Sequence, residues 1–83
     1  MYNLVSFVRR SKIKGKILKL LLSEPMTPVD IKKALNVHRE SVSRALLDME
    51  KKGLVRCITP EEHNFRYYEV TPKGKELLPL IGE

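Results

Sequence analysis

The segment from Thr27 to Gly53 contains two short amphipathic helical patterns, separated by a turn of three or four residues. Thr27 can cap the first helix, with Pro28 at its first position. Asn36 ends this helix, because asparagine tolerates the left-handed conformation often found at a helix end. The apolar positions are Ile31, Ala34 and Leu35 in the first pattern and Val42, Ala45, Leu46 and Met49 in the second. Two helices joined so closely predict a helix-turn-helix motif.

Helical and strand patterns flank this motif on both sides. Ser11 can cap a preceding amphipathic helix, and residues 2–10 form either a short helix or an extended arm. After the motif, residues 54–59 and 66–70 have the composition of two paired strands with a loop between them.

A last helix is expected after Thr71, because a capping residue followed by Pro72 repeats the start at Thr27. Pro79 is a position at which this helix kinks or ends. The predicted fold class is therefore mainly α with a small β-hairpin (α+β). It consists of a three-helix core, a two-stranded hairpin and a C-terminal helix over residues 71–83.

The chain has 83 residues, which suits one domain rather than two. No apolar run approaches the ~18 residues of a membrane span, and residues 1–10 do not have the pattern of a secretion signal. Cys57 is the one cysteine, so no intrachain disulfide can form, as is usual in a reducing compartment. We therefore expect a single domain over residues 1–83, working in the cytoplasm.

The chain is basic, with a formal net charge of +6 and a pI of about 9.7. Nucleic acid is the commonest acidic partner of such a domain, although the charge can also serve solubility alone. The positive charge is concentrated near the N-terminus, in Arg9, Arg10, Lys12, Lys14, Lys16 and Lys19.

Three stretches carry a family resemblance: VHRESVSRAL at 37–46, MEKKGLV at 49–55 and YEVTPKGK at 68–75. In this order and spacing, the region from Thr27 to Gly74 resembles winged-helix transcription regulators of the MarR/ArsR-like kind, particularly small archaeal ones. The resemblance implies a single winged helix-turn-helix domain with a recognition helix at about 39–52 and a wing at about 59–66. It further implies a regulator that binds double-stranded DNA as a homodimer, and not an enzyme.

The expected recognition helix has an apolar inner face and a polar outer face. At 100° per residue, Glu40, Arg44 and Lys51 lie roughly opposite Val42. Such a helix can enter the major groove of B-DNA, which is about 12 Å wide. Arg44 can then grip guanine, and Glu40 can accept from cytosine or pair along the helix with Arg44.

The candidate DNA-binding residues are Arg39, Glu40, Ser41, Ser43, Arg44, Lys51, Arg66, Lys12 and Lys14. Arg39 and the two serines suit phosphate contacts near the start of the helix, and Arg66 suits one at the base of the wing. For each of these side chains a solvated surface position is the alternative. Glu61 and Glu62 would repel phosphate, which argues against deep insertion of the wing.

No metal, cofactor or catalytic site is indicated. Cys57, His38 and His63 do not form a ligand pair at the usual spacings, and Cys57 is expected to be a core or half-buried residue. No nucleophile–base pattern or glycine-rich phosphate loop is present. A small-molecule effector is not identified by the sequence.

The two ends of the chain, residues 1–10 and 71–83, are possible dimerisation elements. Their spare apolar residues are Tyr2, Val5, Phe7, Leu78, Leu80 and Ile81. The alternative is that the terminal helix packs over its own domain.

Two rival functions are considered. The first is a winged-helix protein–protein module that does not read DNA sequence, which the acidic wing and Leu47 favour. The second is RNA binding, for which the chain lacks stacking aromatic residues in a basic setting.

Overall fold

The computed structural model describes residues 3–62 and 66–81. The elements are α1 (Leu4–Arg9), α2 (Lys14–Ser23), α3 (Pro28–Leu35), α4 (Arg39–Lys51), β1 (Val55–Cys57), β2 (Tyr68–Val70) and α5 (Pro72–Ile81). This order confirms the predicted fold class, and it resolves the N-terminal segment as a short helix. No helix within the described ranges is long and apolar enough to cross a membrane.

The ends of the helix-turn-helix follow the local signals of the sequence. Thr27 accepts a hydrogen bond from the Asp30 amide at 3.2 Å, and the Asp30 carboxylate accepts one from the Thr27 amide at 3.3 Å. This reciprocal capping box starts α3, and Asn36 ends it in the left-handed conformation at a φ of 55°. The prediction of Ser11 as the cap of α2 is wrong, because α2 begins at Lys14 and Ile13 is its N-cap. The Ser11 hydroxyl still accepts a hydrogen bond from the Lys14 amide at 3.3 Å.

The hairpin is shorter than its sequence pattern. Val55 pairs with Val70 in an antiparallel register, and the Ile58 amide extends the ladder by donating to the Tyr67 carbonyl at 2.9 Å. Met26, which precedes α3, exchanges two backbone hydrogen bonds with Tyr68. The hairpin is therefore tied to the helical core through the α2–α3 connection. Residues 63–65 of the predicted wing lie outside the described residues.

The connection from the hairpin to α5 depends on a threonine and two glycines. The Thr71 hydroxyl donates to the Gly53 carbonyl and accepts from the Gly74 amide at 3.1 Å. Gly53 has a φ of +76°, which an L side chain rarely adopts. A Cβ on Gly74 would lie well inside van der Waals contact with the Leu54 carbonyl oxygen and 2.6 Å from Val70.

Within the described residues, one core joins helices α1 to α5 and the hairpin. The most completely buried side chains are Val8, Ile17, Leu18, Ile31, Val42, Leu46, Met49, Leu54 and Val55. Ala34, an apolar position of the first helical pattern, is exposed. It lies about 60° around α3 from Ile31, on the side away from Leu35, and α3 buries only a narrow face.

The terminal helix packs largely over its own domain. Leu78 and Ile81, predicted as spare apolar surface, are buried at 8% exposure each, while Leu80 is 63% exposed. Pro79 lies inside α5, which continues to Ile81. Val5 and Phe7 are half-buried against the core, and the predicted dimer residue Tyr2 lies outside the described residues. A dimerisation role for the two ends stays a prediction.

Candidate nucleic-acid interface

Helix α4 is held by its inner face and presents the opposite face outward. Val42, Leu46 and Met49 are all at most 1% exposed, so the helix cannot rotate without breaking the core. The side chains that share the outward face are Arg39, Glu40, Ser43, Arg44, Leu47, Asp48 and Lys51. We call this face the α4 outer surface. Five of the nine candidate DNA-binding residues lie on it.

The start of α4 offers backbone donors. His38 precedes the helix, and its side chain makes no capping hydrogen bond within the described residues. The first amides of any α-helix lack an intrahelical acceptor, and they favour a negative charge at that end. Arg39 and Ser41 are exposed in this first turn. The arrangement can accept a phosphate oxygen.

A groove beside α4 brings together residues from distant parts of the sequence. Its walls are the turn at 11–14 and one side of α4, where Ser41 and Arg44 lie. Lys12 and Lys14 come from the turn. The structure thus places four of the predicted residues around one groove, and Arg44 borders both this groove and the α4 outer surface.

The two lysines of the groove have different environments. Lys12 is exposed, whereas the Lys14 side chain is only 12% exposed. The Lys14 ammonium lies 3.6 Å from the Asp48 carboxylate and 3.9 Å from the centre of the Phe7 ring. Sequence reasoning missed this cluster, because no local periodicity links Phe7, Lys14 and Asp48.

The base of the wing carries one exposed arginine. Interaction with the Cys57 side chain raises the pKa of the Arg66 guanidinium. This group is charged at physiological pH in any environment. Cys57 is half-buried, as predicted. Glu61 and Glu62 are both exposed, so the described part of the wing has mixed charge. The neighbouring Arg56 is paired with Glu69 across the two strands.

Tyr68 connects the wing to the core. The side chain is 7% exposed, and burial raises the pKa of its phenol, an effect that the nearby Arg66 partly opposes. The phenol is therefore neutral at physiological pH.

The described residues contain no group of three or more His, Cys, Asp and Glu side chains that could hold a metal ion. The geometry is thus a helix supported from behind, whose outer surface carries three cations and two carboxylates, beside a basic turn and a hairpin. Such an arrangement can contact a phosphate backbone.

Comparison with known proteins decides the family. The family described as "Sugar-specific transcriptional regulator TrmB" matches residues 17–73, which is more than half of the chain. The chain belongs to the TrmB family. The matched region runs from α2 to the start of α5, and it includes the helix-turn-helix and the hairpin.

Other comparisons find similar proteins among helix-turn-helix and MarR-family regulators. The chain is 32% identical over 68 residues to an uncharacterized HTH-type transcriptional regulator of Methanocaldococcus jannaschii, covering 78% of this chain and 64% of the relative. It resembles the transcriptional regulator BldR of Sulfolobus solfataricus with a TM-score of 0.77 and 30% identity, over 86% of this chain and 52% of BldR. A MarR-family transcription regulator gives a TM-score of 0.75 and 27% identity, over 95% of this chain and 58% of that protein.

These matches confirm the winged-helix fold, the likeness to archaeal regulators and the expectation that the TrmB-family chain is not an enzyme. The chain is a winged-helix domain of the TrmB family. It spans about half to two thirds of the length of the proteins it matches.

Proposed function

We propose that the chain is a sequence-specific duplex-DNA-binding domain, with α4 in the major groove and the wing near the backbone. The α4 outer surface carries this proposal. The inner face of α4 is almost completely buried, so the helix is rigidly supported. The opposite face presents three cations, Arg39, Arg44 and Lys51, to a partner. A base-reading helix requires this kind of support from behind.

Arg44 is the proposed base reader. It is exposed, and it lies where the α4 outer surface meets the groove beside the turn at 11–14. Its guanidinium can donate two hydrogen bonds to guanine O6 and N7. Glu40 precedes it by one helical turn and can either accept from a cytosine amino group or hold Arg44 in position. Ser43, half-buried on the same face, can support a neighbouring contact.

The other cations near Arg44 are proposed as phosphate contacts. Arg39 and Ser41 lie at the start of α4, Lys51 lies at its end, and Lys12 lies across the groove. Arg66, which is exposed at the wing base, is a further proposed backbone contact. We assign Lys14 a positioning role, because its ammonium already contacts Asp48 and Phe7.

The proposed assembly is a homodimer on a pseudo-palindromic site in the cytoplasm. Two α4 helices would enter successive major grooves about 34 Å apart. The exposed Leu80 and the half-buried residues of α1 are available for pairing at the two ends of the chain.

One observation favours a second function. Leu47 is 53% exposed in the middle of the α4 outer surface. An apolar side chain there can contact a thymine methyl group, but it can equally pack against a protein. A protein–protein module that does not read DNA sequence is therefore the alternative.

The first test is fluorescence anisotropy with labelled random-sequence duplex DNA at several salt concentrations, with single-stranded RNA as a competitor. We expect binding that weakens linearly with the logarithm of salt concentration and that RNA does not displace. Selection of a preferred site should follow. Absence of duplex binding at low salt would reject the proposal and favour a protein partner on the α4 outer surface.

A further inference from the structure

A cavity of about 270 Å³ lies away from α4, between α1, the turn after it, α2 and the end of α5. Its lining includes four cationic side chains: Arg9, Lys12, Lys16 and Lys19. Among the described residues no acidic side chain lines it. Lys19 already takes part in another interaction, so the charge argument concerns Arg9, Lys12 and Lys16. These like charges repel each other around one cavity, and a bound anion would stabilise their arrangement.

The floor of the cavity is apolar. Val8 and Ile81 line it, and both belong to the buried core. Gly15 lies between them in the first turn of α2. A ligand that fills the cavity would therefore contact charge at the rim and hydrocarbon at the floor.

Gly15 is not required by the fold. It does not have a left-handed φ, and a Cβ there would lie 3.8 Å from both Val8 and Ile81, which is ordinary contact. In contrast, Gly53 is required because its φ is positive, and Gly74 is required because the Leu54 carbonyl lies too close to allow a side chain. The missing side chain of Gly15 instead keeps the cavity floor open.

We propose that this cavity binds a small organic anion of the phosphate monoester type, with its apolar part on the floor. A dianion can pair with two or more of Arg9, Lys12 and Lys16 at once, and both lysine and arginine bind phosphate well. The volume lies just below the ~300–1,000 Å³ usual for ligand pockets, which favours a small ligand.

The cavity is connected to the candidate DNA interface. Ser11 and Lys12 line both the cavity and the groove beside α4. A bound anion would therefore compete with a DNA phosphate for Lys12. This regulatory consequence rests on the proposed function, whereas ligand binding itself does not.

The test is a titration of the full chain with phenyl phosphate as the probe. Binding is monitored by ¹⁵N NMR at constant ionic strength. We expect saturable shifts in the amides of residues 8–19 and 81. Phenol and inorganic phosphate, which each lack one half of the probe, should bind at least about tenfold more weakly, a loss of about 1.4 kcal/mol.

Two variants test the rim charge and the floor shape of the cavity separately, and a third variant is the control for the loss of charge. Lys16→Gln removes a rim charge and Gly15→Leu fills the floor, and each should weaken phenyl phosphate binding about tenfold. Lys75→Gln removes the same charge from an exposed position on α5 outside the cavity, and it should leave the affinity unchanged. The dispersion of the NMR spectrum shows whether each variant is folded.

Several results would overturn the proposal. Shifts that do not saturate, or an equal loss in Lys75→Gln, would indicate simple counter-ion screening. Equal affinity for phenyl phosphate and inorganic phosphate would exclude a role for the floor. If the probe does not bind and Lys16→Gln weakens duplex binding instead, the cations belong to the DNA interface. Because the titration contains no DNA, failure of the proposed DNA-binding function would leave its outcome unaffected.

Discussion

The Lys14 ammonium lies 3.6 Å from the Asp48 carboxylate and so joins the start of α2 to the outer side of α4. The same ammonium lies over the ring of Phe7 in α1. A mostly buried cation therefore links the N-terminal helix to the helix that carries the candidate DNA-binding residues. We expect this contact to hold α4 at a fixed distance from the basic turn at 11–14.

Replacing Lys14 with methionine should lower the free energy of unfolding by about 1–2 kcal/mol, since it removes a partly buried ion pair and a cation–π contact. Urea denaturation of Lys14→Met, Asp48→Asn and the double variant measures the coupling between the two residues. We expect the double variant to lose less than the sum of the single losses. Strict additivity would show that the pair contributes nothing.

The glycines of α2 and α5 should respond oppositely to the same substitution. Gly74→Ala places a methyl group against the Leu54 carbonyl and should cost about 1–3 kcal/mol. Gly15→Ala meets only ordinary contacts and should stabilise the fold by about 0.4–1 kcal/mol, because it restricts the unfolded chain. Thermal and urea unfolding of the two variants check this pair. A destabilised Gly15→Ala would contradict the contacts at the cavity floor.

Removing the Thr27 hydroxyl should weaken the start of α3. Thr27 is 6% exposed, and its hydroxyl forms half of the capping box with Asp30. Thr27→Ala should therefore cost about 1 kcal/mol in urea unfolding. Thr27→Ser keeps the hydroxyl and is the matched control. Equal losses in both variants would attribute the effect to packing of the methyl group.

Tyr68 should make the fold sensitive to alkaline pH. Burial raises the pKa of the folded phenol above its ordinary value of 10.0, so the folded chain holds this proton more tightly than the unfolded chain. The corresponding stability is fully present below pH 10 and is lost as the pH rises from there through the folded pKa. Tyr68→Phe cannot titrate at this position, so its stability should fall less steeply above pH 10. Parallel urea curves at each pH test this, and identical slopes for both chains would contradict it.

The boundaries of α3 could be predicted because they depend on local hydrogen bonds. Thr27 with Asp30, and Asn36 at the end of α3, act within a few residues of their own positions. The exposure of Ala34 could not be predicted, since periodicity does not indicate how wide a face a short helix buries.

The candidate site was only partly predictable, because part of it depends on tertiary packing and not on local sequence. The outward face of α4 follows from helical geometry, so Glu40, Arg44 and Lys51 could be placed together. The groove that joins Lys12 to Arg44 depends on how α2 packs against α4, which no spacing in the sequence reports. The burial of Lys14 depends on the same tertiary packing.

The two lysines of the groove should differ in their effect on DNA binding. Lys12→Ala removes an exposed cation, so it should weaken binding to all duplexes alike and reduce the salt slope by about 1. Lys14→Met removes a cation that contacts Asp48, so it should leave the salt slope unchanged while lowering stability. Arg44→Ala should cost about 1–3 kcal/mol on a selected site and relax its specificity.

Anisotropy titrations at several salt concentrations, on random and selected duplexes, separate these three variants. Lys75→Ala, which removes a charge from the exposed side of α5, is the control for net charge. A reduced salt slope in Lys14→Met would make Lys14 a phosphate contact instead of a positioning residue. Arg44 is the one described cation that borders both the α4 outer surface and the groove. If Arg44→Ala binds every duplex as the original chain does, α4 is excluded as the reading helix.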